Sequence, residues 1–232
     1  MQKSVNFLEL IGGGKIPEVL IGTWIVMGIL IVFGFIARAS IAGAADPIVP
    51  DEGLTIRSAS EMIVEWLDGF VSEVTEMHGS RAMVPFFGCI FMFILFANFF
   101  GLIPGMEPPT GDSDLTFALG IICFGYYIYQ GFASKGVWYL KSFLGPYLPL
   151  AVLMLPIELA DNLFRPFSLG IRLYANMFAD HTVLSIFTGL ELTHVVVPLV
   201  FLALGLVVCI VQAVIFVVLS MSYVRLAAGH DH

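Results

Sequence analysis

Seven polar residues, Glu158, Asp161, Arg165, Ser168, Arg172, Asn176 and Asp180, follow one another at spacings of 3, 4, 3, 4, 4 and 4. At about 100° per helical residue, these spacings hold the side chains within a sector of roughly 120°. One helix face therefore carries three acids, two guanidinium groups, a hydroxyl and an amide, among apolar neighbours such as Leu163, Phe164, Phe167, Ile171, Leu173 and Phe178. Such groups in an apolar setting suit the movement of ions better than the making of bonds. A charge at the middle of a bilayer costs about 2.5–3.5 kcal/mol, so several in one element call for a water-filled path or a partner. The alternative is a set of structural contacts, with Arg165 held by Asp161 and Arg172 by Ser168 or Asn176. His181 lies about 140° around the helix from Glu158. It is either a proton relay or a hydrogen-bonding group satisfied within the bundle. Gln212 is the one amide side chain in the apolar run 195–224. An unpaired amide in hydrocarbon is costly, so Gln212 needs a partner on another helix.

The elements that position these groups are read from the rest of the chain. Hydrophobic residues make up 59% and charged residues 12%, against roughly a quarter charged in soluble domains, which makes lipid the main solvent. Uncharged runs cover 19–37, 82–106, 115–134 and 195–224, with a further apolar stretch at 142–157. The long runs match the roughly 20 apolar residues that a spanning helix needs. The expected fold is an all-α integral membrane protein. It has about five membrane-spanning helices plus one amphipathic helix, and the last two spanning helices are long and tilted. The first helix covers about 17–36 and ends at Arg38, and a Gly/Ala/Pro-rich linker follows through Pro50. Its apolar run is longer than a signal-peptide core of about 7 to 15 residues, so the helix is expected to be retained. Between Asp51 and His78, Met62, Ile63, Trp66, Leu67, Phe70, Val71 and Val74 recur at helical spacing while Glu61, Glu65, Asp68, Glu73 and Glu76 fill the other positions. This segment is an interfacial helix, a helix leaning on its neighbours or, since anionic lipid would repel its acidic face, a small soluble helical insertion. The region 147–190 is too long for one perpendicular span and contains Pro156 and Pro166, so it must tilt, bend or fold back. The chain thus divides into 1–50 (leader, first helix and linker), 51–81 (amphipathic segment) and 82–232 (membrane domain). Five crossings with the N-terminus outside put Arg38, Arg57, Arg81, Lys135, Lys141 and Arg225 inside and only Lys3 and Lys15 outside, which leaves the C-terminus cytoplasmic. A net charge of -8 without a basic cluster argues against nucleic acid. Cys89, Cys123 and Cys209 lie in apolar runs without metal-ligand spacing.

The run Arg165-Pro-Phe-Ser-Leu-Gly-Ile-Arg-Leu-Tyr-Ala-Asn-Met-Phe-Ala-Asp-His181, followed by Gln212-Ala-Val-Ile-Phe in a terminal helix, closely resembles subunit a of F-type ATP synthases. The resemblance extends to Asn98-Phe-Phe-Gly-Leu-Ile-Pro104, to the loop from Pro109 to Thr116 and to Glu158, over about the last two-thirds of the chain. It implies that Arg172 faces the carboxylates of a rotating c-ring. Asn176, His181 and Gln212 would line an outer ion path, and Glu158 would lie near an inner exit. His181 stands where many bacterial members carry glutamate, and Gly205 where those members place a histidine, so Asp180 is a candidate helper. Asp161 would replace a hydroxyl near the inner exit.

That resemblance implies a proton-translocating subunit that couples proton flow to ring rotation and ATP synthesis, with no enzymatic activity of its own and no cofactor. Its implied partners are the c-ring, peripheral-stalk b subunits, the remaining complex and the bilayer. The absence of an Arg/Ser-rich transit peptide favours a bacterial inner membrane. The rival reading is an ion-coupled secondary transporter or channel that binds an anion at Arg172. It predicts internal repeats and broken helices, and neither is evident in the sequence.

Overall fold

The computed structural model describes residues 17–42, 55–76, 80–103, 106–136, 139, 151–188 and 196–228. Among these, six α-helices follow in order: α1 (Glu18–Ala42), α2 (Ile56–Thr75), α3 (Val84–Gly101), α4 (Ser113–Lys135), α5 (Ala151–Thr188) and α6 (Val196–Ala228). Four segments are long and apolar enough to cross a membrane: Val19–Ile41, Val84–Gly101, Ser113–Lys135 and Leu202–Ala228. The chain is thus a multi-pass all-α membrane protein. The apolar spans number one fewer than expected because α5 carries the polar stripe. At 38 residues and about 1.5 Å each, α5 is nevertheless about 57 Å long, well beyond a hydrocarbon core of about 30 Å. Pro156 and Pro166 lie inside it without ending it, so the helix does not fold back. Lys3, Lys15, Pro50, Lys141 and the loop 191–194 lie outside the described residues.

Chain contacts divide the molecule into two units, 1–109 and 110–232. The first holds α1, α2 and α3. Helix α1 runs past Arg38 to Ala42, since the small and apolar residues after the arginine continue the helix and a charge does not stop one. Ile21 and Val26 of α1 pack with Ala97 and Phe100 of α3, while Trp24, Val32 and Phe35 stay exposed, as suits a lipid-facing side. Helix α2 begins at a capping box, in which the Thr55 side chain accepts from Ser58 N and Ser58 Oγ accepts from Thr55 N. Its apolar face is shared out: Leu67 and Val71 are buried, while Met62 and Trp66 are open. Arg57, almost fully buried, pairs with Glu61 at 2.8 Å.

The second unit packs α4, α5 and α6 against one another. Helix α4 is capped by Asp112, whose carboxylate accepts from Asp114 N at 2.8 Å. It ends at Gly136, whose φ of 59° favours glycine. Helices α4 and α5 approach at two glycines. A Cβ on Gly120 would lie 2.6 Å from the carbonyl oxygen of Pro166, and one on Gly170 would lie 2.9 Å from the Phe117 ring and 3.2 Å from Thr116 O.

Candidate functional site

The polar stripe of α5 resolves into two ties to its neighbours with an untied residue between them. Towards the C-terminal end, Asn176 Nδ2 donates to Gln212 Oε1 of α6 at 2.6 Å. Gln212 is buried, and this is the cross-helix partner that its position in an apolar run demands. Its Nε2 meets no hydrogen-bond partner among the described residues. Towards the N-terminal end, Arg165 joins all three helices. Its Nη2 contacts Asp161 Oδ2 at 2.7 Å, and its Nη1 donates to Tyr127 Oη of α4 at 3.0 Å. The guanidinium also lies 5.4 Å from the ring centre of Tyr127 and 5.2 Å from that of Tyr223 on α6, within cation–π range. The Tyr127 hydroxyl in turn donates to Asn162 Oδ1. A cavity of about 10 Å³ beside this cluster, lined by Gly120, Cys123, Tyr127, Arg165, Ser220 and Tyr223, has room for about one water.

Asn176 and Arg165 are eleven residues apart on α5, and their α6 partners Gln212 and Tyr223 are also eleven apart, in reverse order. The two ties therefore fix one antiparallel register. Arg172 lies between them, one turn from Asn176 and two turns from Arg165, or about 10 Å along the axis from the second guanidinium. It makes no hydrogen bond or ion pair with any described residue. The structural contacts weighed for the two arginines thus divide: Arg165 takes Asp161, whereas Arg172 takes neither Ser168 nor Asn176. The reason is positional. Leu169, Leu173 and Met177 are buried, while Phe164, Ile171 and Phe178 are open, which places Arg172 at the border of the packed side.

Glu158 and His181 both lie within α5, but their side chains are outside what the structure describes. Asp161 is largely exposed on its free side, and Asp180 is half-buried. Sequence reasoning missed Tyr127 and Asn162. Asn162 is next to Asp161 but points to the packed side of α5. Tyr127 is one of three tyrosines at 126, 127 and 129, and nothing in their spacing singles it out.

The Asn176–Gln212 tie yields a stability prediction. Asn176→Leu leaves the Gln212 amide buried without its donor, which is expected to cost about 1–3 kcal/mol. Removing both groups, in Asn176→Leu with Gln212→Leu, is expected to cost less, because no orphaned amide remains. Thermal release of the chain from the purified, detergent-solubilised assembly would rank the two variants.

The profile of the family described as ATP synthase A chain matches residues 20–225. A protein named ATP synthase subunit a from Bdellovibrio bacteriovorus is 41% identical over 235 residues, covering 99% of this chain and all of the relative. Proteins of the same name from Solibacter usitatus and Nitratidesulfovibrio vulgaris are 44% and 36% identical, covering 72% and 90% of this chain and 73% and 85% of their own lengths. Since the match runs over nearly the whole chain and takes in both ties and the untied arginine between them, the chain belongs to the ATP synthase A chain family.

Proposed function

We propose that this chain carries protons between two half-channels that meet at Arg172, and that Arg172 faces the carboxylates of a rotating c-ring. Family membership makes the chain a component of the ATP synthase complex, a proton-translocating membrane subunit rather than an enzyme in its own right. It also sets aside the secondary-transporter reading. The observation that carries the residue-level proposal is the free guanidinium of Arg172 between two tied polar clusters, beside an open apolar face. A cation with no partner among the described residues, in a membrane helix, fits a counter-charge supplied by another subunit.

In this reading a proton enters from outside past His181, Asn176 and Gln212, where the Gln212 Nε2 donor is left for a transiting water. It neutralises a ring carboxylate, and the neutral site can then rotate through lipid at low cost. On completing the turn the site loses its proton towards the inner half-channel near Glu158 and Asp161, drawn by the charge of Arg172. A guanidinium keeps its proton under all these conditions, so it attracts each carboxylate and does not relay protons between the half-channels. Each charge crossing 100 mV supplies about 2.3 kcal/mol to the rotation. The b subunits would anchor the chain against the ring. The chain would lie in a bacterial inner membrane with its N-terminus outside and its C-terminus in the cytoplasm.

Disulfide trapping tests the ring-facing side. Ile171 is on the open face and Leu173 is fully buried. Ile171→Cys is expected to cross-link under oxidation to a cysteine placed beside the ring carboxylate and to stop rotation, while Leu173→Cys is expected to give no product. Equal yields at both positions, or none at Ile171, would set aside this orientation of α5.

A further inference from the structure

Two arginines lie close together on one side of α5, and a carboxylate travelling past the helix would be drawn to both. Their surroundings differ sharply. Arg172 has no partner among the described residues, whereas Arg165 is held by a carboxylate, a phenol oxygen and two aromatic faces. The Arg165 side chain is 15% exposed and that of Asp161 is 60% exposed, so the pair presents its acid, rather than its guanidinium, to the surroundings. The space left beside Arg165 holds about one water and cannot admit a carboxylate side chain.

We infer that Asp161 is a masking residue: by pairing with Arg165 it leaves Arg172 as the cation of this helix stretch that has no partner among the described residues, so that a ring carboxylate has one stopping point rather than two. The inference rests on the proposal that Arg172 faces the ring and assigns Asp161 a positioning role that the residue's place near an inner exit does not by itself imply. Without the mask, Arg165 is a second attractive centre about 10 Å from the first. An arriving carboxylate would then be shared between two cations and held in its ionised form, which delays its next protonation. The aromatic faces of Tyr127 and Tyr223 hold the guanidinium in place but do not cancel its charge. That task falls to an acid, and among the described residues Asp161 is paired with it.

The test uses the complete ATP synthase in inverted membrane vesicles, with ATP-driven proton pumping expressed per assembled copy of this chain. Asp161→Asn keeps the size and the hydrogen-bonding oxygen of the side chain and removes only its charge. It is expected to slow pumping about tenfold, equivalent to about 1.4 kcal/mol in the rate-limiting step. Adding Arg165→Gln to the same chain removes the unmasked cation and is expected to restore most of the rate. A role in packing, or a direct role for Asp161 as a proton carrier, predicts no such rescue, because the double variant would lose two groups instead of one. Unimpaired pumping in Asp161→Asn, or a double variant as slow as the single one, would overturn the inference. Failure of the underlying reading is recognised separately, because pumping would then survive loss of Arg172 whatever the state of Asp161.

Discussion

Arg172→Ala is expected to abolish coupled proton pumping while leaving the complex assembled. Both halves of this expectation follow from the same geometry. Arg172 makes no hydrogen bond or ion pair with any described residue, so its removal orphans no acceptor among them and the two ties that fix α5 against α4 and α6 remain. Folding has little to lose. In the proposed mechanism the ring carboxylate, by contrast, loses its counter-charge in a water-poor setting. Breaking a buried pair by removing one partner costs roughly 3–5 kcal/mol. At about 1.4 kcal/mol per decade, this slows the step by at least about a hundredfold. In the same mechanism the loss of the fixed cation lets protons pass between the half-channels without rotation, so vesicles stripped of the catalytic sector are expected to become leaky. Arg172→Lys keeps a positive charge but loses the planar fork, and an amine can give up its proton where a guanidinium does not. Only partial recovery is expected from it. ATP-driven acidification of inverted vesicles, followed by passive proton permeability of the stripped membranes, reads both effects. Full pumping by the alanine variant would remove the centre of the proposed mechanism and leave Arg172 as a surface charge.

The second large effect is expected at the contact between α4 and α5. A Cβ at Gly120 would come within 2.6 Å of a backbone oxygen, that of Pro166, which cannot move aside as the end of a side chain can. Gly120→Ala must therefore push α5 away from α4, and overpacking of this kind costs about 1–3 kcal/mol. The displacement falls one residue from Arg165 and would strain its hydrogen bond to Tyr127. Gly170→Ala meets Phe117 and Thr116 O at somewhat longer range and is expected to be milder. At Gly125, on the same helix as Gly120, an added methyl group would meet nothing within 4 Å. Gly125→Ala should therefore be neutral or stabilising, by up to about 1 kcal/mol, from helix propensity alone. Heat-induced loss of this chain from the purified complex should rank the three variants in that order. A Gly120 variant as stable as the Gly125 variant would show that the close approach is not maintained.

The polar stripe was legible because helical geometry converts spacing directly into a face, and the structure keeps residues 151–188 in a single helix. The apolar runs were legible for a similar reason, since hydrocarbon requires long uncharged segments and α1, α3, α4 and α6 supply them. What remained hidden depends on register between helices. Nothing in the order of residues says that Gln212 sits opposite Asn176, or that Tyr127 rather than Tyr126 or Tyr129 meets Arg165. Those pairings follow from how far α4 and α6 slide against α5, which the contacts at Gly120 and Gly170 help to set. The amphipathic pattern of 51–78 showed that an apolar face exists. It did not show that Leu67 and Val71 would be covered while Met62 and Trp66 stayed open. The two prolines left a tilt, a bend and a fold-back equally open, since a proline within a helix permits a break without requiring one.

The open side of α5 also bears on the order in which the complex is built. A newly inserted chain presents Phe164, Ile171 and Phe178 to lipid, which suits them, but beside them a guanidinium with no partner among the described residues. In hydrocarbon such a group carries an insertion penalty of about 2.5–3.5 kcal/mol, relieved only by snorkelling, by local thinning of the bilayer or by an opposing acid. A solitary copy therefore carries in the membrane a cost that an opposing acid would relieve. If Arg172 faces the ring as proposed, biogenesis is safest when the ring is complete before this chain arrives, so that the newcomer finds its counter-charge waiting and no half-built proton pathway is left open across the membrane.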